Sequence, residues 1–78
     1  MKNQYYKTSN FYLSAYLICL GMELIDIDRK DRKRAVFIFA DVHKRSVMVN
    51  QFIFGKEALV DARQFANALK ELKNKLYS

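Results

Sequence analysis

Apolar positions along the chain gather in blocks separated by short charged stretches. The first block, Phe11 to Leu20, is apolar at every position except Ser14. Thr8, Ser9 and Asn10 precede it, all residue types that cap helix N-termini, and Gly21 follows it. This predicts a helix from about Ser9 to Leu20 that stops at Gly21. Within it Phe11, Ala15 and Cys19 form one row, Tyr12, Tyr16 and Leu20 a second, and Leu13 and Leu17 a third. A helix apolar all round requires cover on nearly every side.

Glu23 to Asp28 reads as a strand, and Arg34 to Ala40 as a stronger one, rich in aromatic and β-branched residues. The link between them, Arg29-Lys30-Asp31-Arg32-Lys33, is short and charged, which predicts a β-hairpin. The second strand is apolar on both faces: Val36, Ile38 and Ala40 on one, Ala35, Phe37 and Phe39 on the other. Strands covered on both sides show this pattern. Residues 41–54 fit either a helix, with Val47, Met48, Gln51 and Phe52 on one face and Gly55 beyond its end, or strand at Val47–Val49 and Phe52–Phe54. A helix from about Lys44 to Ile53 is the expected form. The last block is a clear amphipathic helix: Asp61 caps it, Gln64 follows three residues on, and Phe65, Leu69, Leu72 and Leu76 recur at four-three-four spacing. Glu71 and Lys75 form a favourable i,i+4 pair. The expected fold is therefore α+β in the order αββαα: an N-terminal helix, a β-hairpin and two C-terminal helices. It forms one domain over residues 1–78, with residues 1–7 as a polar lead-in.

Seventy-eight residues bury a modest fraction of their unfolded surface, yet 51% of these are apolar. Self-association is the simplest outlet for the surplus, through the Phe11–Leu20 helix or the second strand. Fourteen Lys and Arg against 8 acids leave a net charge of +6, which favours polyanionic partners, nucleic acid first. Cys19 is the only cysteine, so no internal disulfide forms, and its apolar setting predicts a buried thiol. The opening Met1 to Tyr6 lacks the apolar stretch of a signal peptide, and no apolar run approaches the roughly 20 residues of a membrane span. A cytoplasmic protein without membrane contact is expected.

Four segments resemble a known family: Tyr6-Lys7-Thr8-Ser9-Asn10-Phe11-Tyr12-Leu13 with Gly21 after it, Val36 to Asp41, Leu59 to Phe65, and Leu69 to Lys73. They look like a family of short prokaryotic proteins known only as a domain of unknown function. The likeness spans nearly the whole chain and is most specific in its opening and closing segments. It implies an independent domain, often in mobile-element neighbourhoods. It implies no activity and carries over no site residues.

Catalysis requires a nucleophile or base held by a second group and usually oriented by a third. His43 is the only histidine, and Asp41 is its one plausible acid/base partner. Asp26 and Asp28 share a strand face, but no glycine-bearing loop adds further oxygen ligands for a cation. No phosphate-cradling loop, Cys/His cluster or serine elbow is present. No enzyme, cofactor, metal site or small-molecule substrate is expected. The sharpest feature is the hairpin tip, where Arg29, Lys30, Arg32, Lys33 and Arg34 put five cations in six positions. Lys44 and Arg45 lie past the far end of the second strand, and Lys70 and Lys73 lie on the last helix. Such a set can follow a phosphate backbone through counterion release. Phe37 and Phe39 alternate as base-stacking residues would, but fit a core better, leaving Tyr5, Tyr6 and Tyr12 as the more exposed aromatics. The expected function is a homodimeric nucleic-acid-binding accessory protein, for DNA or RNA including single strands. The alternative is an interaction or assembly module with an apolar working surface.

Overall fold

The computed structural model describes residues 4–31, 33–55 and 60–77. Its elements are β1 (Tyr5–Thr8), α1 (Phe11–Cys19), β2 (Leu24–Asp31), β3 (Arg34–Ala40), α2 (Arg45–Phe54) and α3 (Ala62–Leu76). The class is α+β as expected, but the order is βαββαα, not αββαα. Tyr5 to Lys7, assigned above to a polar lead-in, and Thr8, read there as a capping residue, form a strand instead. Four residues are too few to display a period, so only the β-preferring Tyr, Tyr and Thr hinted at it. What recruits the segment is β3: Tyr5 lies opposite Ala40 and Thr8 opposite Phe37 in an antiparallel ladder.

The sheet order is β1-β3-β2, with β3 antiparallel to both neighbours. The outer strands therefore run parallel to each other, and the chain joining them must cross one face of the sheet. That crossing is α1. It lays Leu13, Ala15, Tyr16 and Leu17 in one core with Phe37 and Phe39 of β3, Met22, and Ala68 and Leu72 of α3. Helices α2 and α3 both pack against α1, and the Tyr16 and Phe52 rings meet at 5.5 Å. Cover for the middle of the first helix, Leu13 to Leu17, is thus supplied within one protomer, while Tyr12 stays exposed. Leu17 is completely buried, so it offers no surface to a second copy.

Local signals explain where the helices begin and end. Asn10 Oδ1 accepts the Leu13 N–H at 3.0 Å, and the buried Ser14 hydroxyl donates to the Asn10 carbonyl at 2.9 Å. At the other end of α1 the Gly21 N–H reaches the Ile18 carbonyl and the Met22 N–H the Leu17 carbonyl. This Schellman closure uses Gly21 at φ 98°, a value that suits glycine. Helix α2 takes the expected helical form and ends at Gly55, at φ 71°. Asp61 caps α3 by accepting the Gln64 N–H at 3.0 Å.

All three helices lie over the Phe37/Phe39 side of the sheet, which makes a flat molecule of 34 × 34 × 19 Å. The other side carries Val36, Ile38 and Ala40, half-buried and outside the core. Register puts Tyr5 and Lys7 of β1 and Asp26 and Asp28 of β2 on that same outer side. No helix of the described residues covers it.

Candidate nucleic-acid interface

The β2–β3 hairpin closes tightly, with Asp31 opposite Arg34. Strand β2 is an edge, and its exposed backbone is managed by carboxylates. Asp26 accepts the Ile27 N–H at 2.8 Å, Asp28 the Lys30 N–H at 3.0 Å, and Asp31 the Lys33 N–H at 2.9 Å. Two register irregularities, between Leu24 and Asp26 and between Asp28 and Asp31, further twist this edge. Acids that satisfy an edge and bulges that bend it both discourage another strand from adding there. The acids of β2 thus have a structural occupation, and among the described residues no group of three or more His, Cys, Asp or Glu converges on a point.

The tip's cations divide by role. Lys30, Lys33 and Arg34 are exposed. Arg29 reaches across to α3, where its Nη2 donates to the Lys75 carbonyl. That carbonyl belongs to the last turn of a helix, where backbone acceptors lack intrahelical donors and the dipole favours a cation. Arg29 therefore ties the hairpin to the end of α3. Arg32 lies outside the described residues. Between the tip and the helix end runs a groove of about 380 Å³, bounded on one side by Lys33 and Arg34 and on the other by Leu76 and Tyr77. Tyr77 is 81% exposed, an aromatic beside clustered cations.

The other cations named from the sequence are spread more widely. Lys70 and Lys73 are exposed on α3, Lys70 on the side away from the buried Leu72 and Lys73 on its flank and nearer the hairpin end. Lys44 and Arg45 lie beyond Ala40, at the opposite end of β3, about 20 Å from the tip for a strand of this length. Arg45 is also engaged: its Nε donates to Asp41 Oδ1 at 3.1 Å and its guanidinium lies 4.6 Å from the Tyr6 ring centre. It clamps β1 to the start of α2. The structure thus gathers Arg29, Lys30, Lys33, Arg34 and the end of α3, and keeps Lys44 and Arg45 apart from them.

The aromatics sort with equal clarity. Phe37 and Phe39 are core residues. Tyr6 is half-buried under Arg45, whereas Tyr5 and Tyr12 are exposed, Tyr5 at the end of the sheet opposite the tip. Tyr77 and Lys75 are the residues sequence reasoning missed. Their place beside the hairpin depends on how α3 docks, a contact 46 positions apart at Arg29–Lys75, which no local pattern announces. His43 is exposed, while the Asp41 carboxylate takes the Val42 N–H and Arg45. Cys19 is free and half-buried, and burial, with a smaller push from the Asp61 carboxylate, raises its thiol above the ordinary range.

A two-layer α+β domain with one bare sheet face and a basic hairpin braced by its last helix is the class that these features define. The chain belongs to the family described as a domain of unknown function, DUF5659, whose model matches residues 3–78. That agrees with the resemblance seen in its opening and closing segments. No curated protein and no solved structure matches the chain. No helix of the described residues is long and apolar enough to cross a membrane.

Proposed function

We propose that this protein is a small nucleic-acid-binding accessory protein, homodimeric, which grips phosphates through the β2–β3 tip and acts by binding without chemistry. The observation that carries this reading is the union of the tip with the end of α3. Exposed Lys30, Lys33 and Arg34 project from a hairpin whose base is braced by Arg29 on the Lys75 carbonyl. A braced tip presents its charges with little ordering cost on binding, and Tyr77 beside it offers a ring on which a base can stack. Fluorescence anisotropy with single- and double-stranded DNA and RNA oligonucleotides tests it. The expected result is binding that weakens steeply with salt. An absence of binding at low salt ends this reading.

A second reading, an assembly module with an apolar working surface, draws on the bare outer face of the sheet and on the far end of α2. There Ile53 and Phe54 are 61% and 72% exposed. Under this reading, neutralising Lys30, Lys33 and Arg34 leaves function intact.

A further inference from the structure

The outer face of the sheet has a property beyond being apolar: its charges are arranged to fit themselves. Down its centre run Val36 and Ile38 of β3. On the β1 side, level with Ile38, stands Lys7. On the β2 side, at the same level, stands Asp26. Further along, Tyr5 is 50% exposed on the β1 side, and Ile25, at the first irregularity of β2, is 46% exposed.

We infer that a second copy of this chain covers this face, sheet on sheet, about a two-fold axis running along β3. Such an axis exchanges left and right but keeps each level. It sets β3 on β3, β1 of each copy over β2 of the other, and Lys7 of each copy over Asp26 of the other. Two packed sheets lie about 10 Å apart, a gap that a lysine and an aspartate span between them. A two-fold axis across the strands would instead set β1 on β1 and β2 on β2, so that the Asp26/Asp28 rows of the two copies face each other and Lys7 meets no acid, which like-charge repulsion disfavours. The charges also decide between occupants: Asp26 and Asp28 outnumber Lys7 on this face, so another copy of the chain, which offers both signs, suits it better than a phosphate backbone does.

This pairing rests on the homodimeric part of the reading above and gives it a geometry. The same axis brings the two basic tips side by side at one end of the dimer. Seven residues of β3 and three strands give a footprint of about 23 by about 14 Å, or about 300 Å² per copy. That is small for a specific interface, so the dimer is a weak one.

Sedimentation velocity of the whole chain without nucleic acid tests this, from about 10 μM to about 1 mM protein at about 0.15 M salt, which screens the paired tips. Lys7→Asp and Asp26→Lys, both at exposed positions, each weaken the dimer by about tenfold or more, because two contacts per dimer turn from attraction to repulsion. An equimolar mixture of the two variants restores dimerisation to near the wild-type level, since each mixed pair regains both contacts. Circular dichroism and thermal melting of each variant establish that it is folded. A dimer indifferent to both reversals, or a mixture that stays monomeric while both variants are folded, overturns the pairing alone. A wild type that stays monomeric at about 1 mM overturns the pairing and the homodimer together, while oligonucleotide titration judges phosphate binding separately.

Discussion

Replacing Lys30, Lys33 and Arg34 together by glutamine isolates the electrostatic contribution of the hairpin tip. All three are exposed, and glutamine keeps most of each side-chain stem, so the fold is expected to persist. Each phosphate that a cation neutralises adds about 0.9 to the slope of log affinity against log salt on duplex DNA, and about 0.7 on a single strand. Removing three contacts therefore flattens the slope by about 2.7 on duplex or about 2.1 on single strands. Between about 50 and about 200 mM salt, wild-type affinity falls about 40-fold more than that of the triple variant on duplex, and about 20-fold more on single strands. The size of the difference thus also reports which form of nucleic acid is held. Lys44→Gln, at the opposite end of β3, serves as the internal control and leaves the slope unchanged. Anisotropy titrations at four or more salt concentrations supply the slopes. Equal slopes for wild type and triple variant, or a loss at Lys44→Gln matching that of a tip residue, would refute the assignment of phosphate contact to the tip.

Three further outcomes follow from particular contacts. Leu72→Ala empties a completely buried site between α3 and α1 and costs about 2–5 kcal/mol, a large part of the roughly 4–12 expected for a domain of this size; urea unfolding shows it, whereas exposed Lys73→Ala changes stability by less than about 0.5 kcal/mol. Arg45→Ala removes both the Asp41 ion pair and the cation–π contact with Tyr6, for about 1 kcal/mol in all, and hydrogen exchange in β1 accelerates more than in β3. The Cys19 thiol, raised in the folded protein, is alkylated more slowly in native protein than in urea at the same pH. Its sign also sets a pH dependence: the unfolded chain loses the thiol proton first, so stability from this group is complete below the ordinary thiol range and falls as pH rises through it. Cys19→Ser therefore shows a shallower alkaline decline in urea midpoint than wild type.

The elements with caps and a clear period were legible in the sequence. Asp61 and the row from Phe65 to Leu76 defined α3, and Gly21 and Gly55 marked two helix ends through their left-handed backbone. The apolar block of α1 announced deep burial, and Leu17 and Tyr16 have it. What failed was the inference about who supplies the cover. With β1 unseen, the sheet had two strands and could not shield such a helix; with β1 in place, α1 becomes a crossover over three strands, and α2 and α3 help cover its middle turns, Leu13 to Leu17. The hairpin cations were equally legible as a cluster. Their division into bracing Arg29 and exposed Lys30, Lys33 and Arg34 was not, because it depends on a helix end brought in from the far end of the sequence.

The topology itself explains why the surplus apolar surface ended up on the sheet and not on the helix. A strand flanked on both sides by partners that run parallel to each other forces their connection over one face, and the hairpin's exit to α2 leads to that same side. Every helix of the described residues then competes to cover Phe37 and Phe39, and none remains for Val36 and Ile38. Yet β3 is as apolar outward as inward at these positions, which a purely solvated face does not require. The acids of β2 blunt the edge, so growth sideways is resisted while the face stays open. Edge protection combined with an uncovered apolar centre favours association by stacking over association by strand addition. In the proposed dimer, stacking along β3 also brings the two basic tips together, so there the bare face and the charged hairpin act as one mechanical unit.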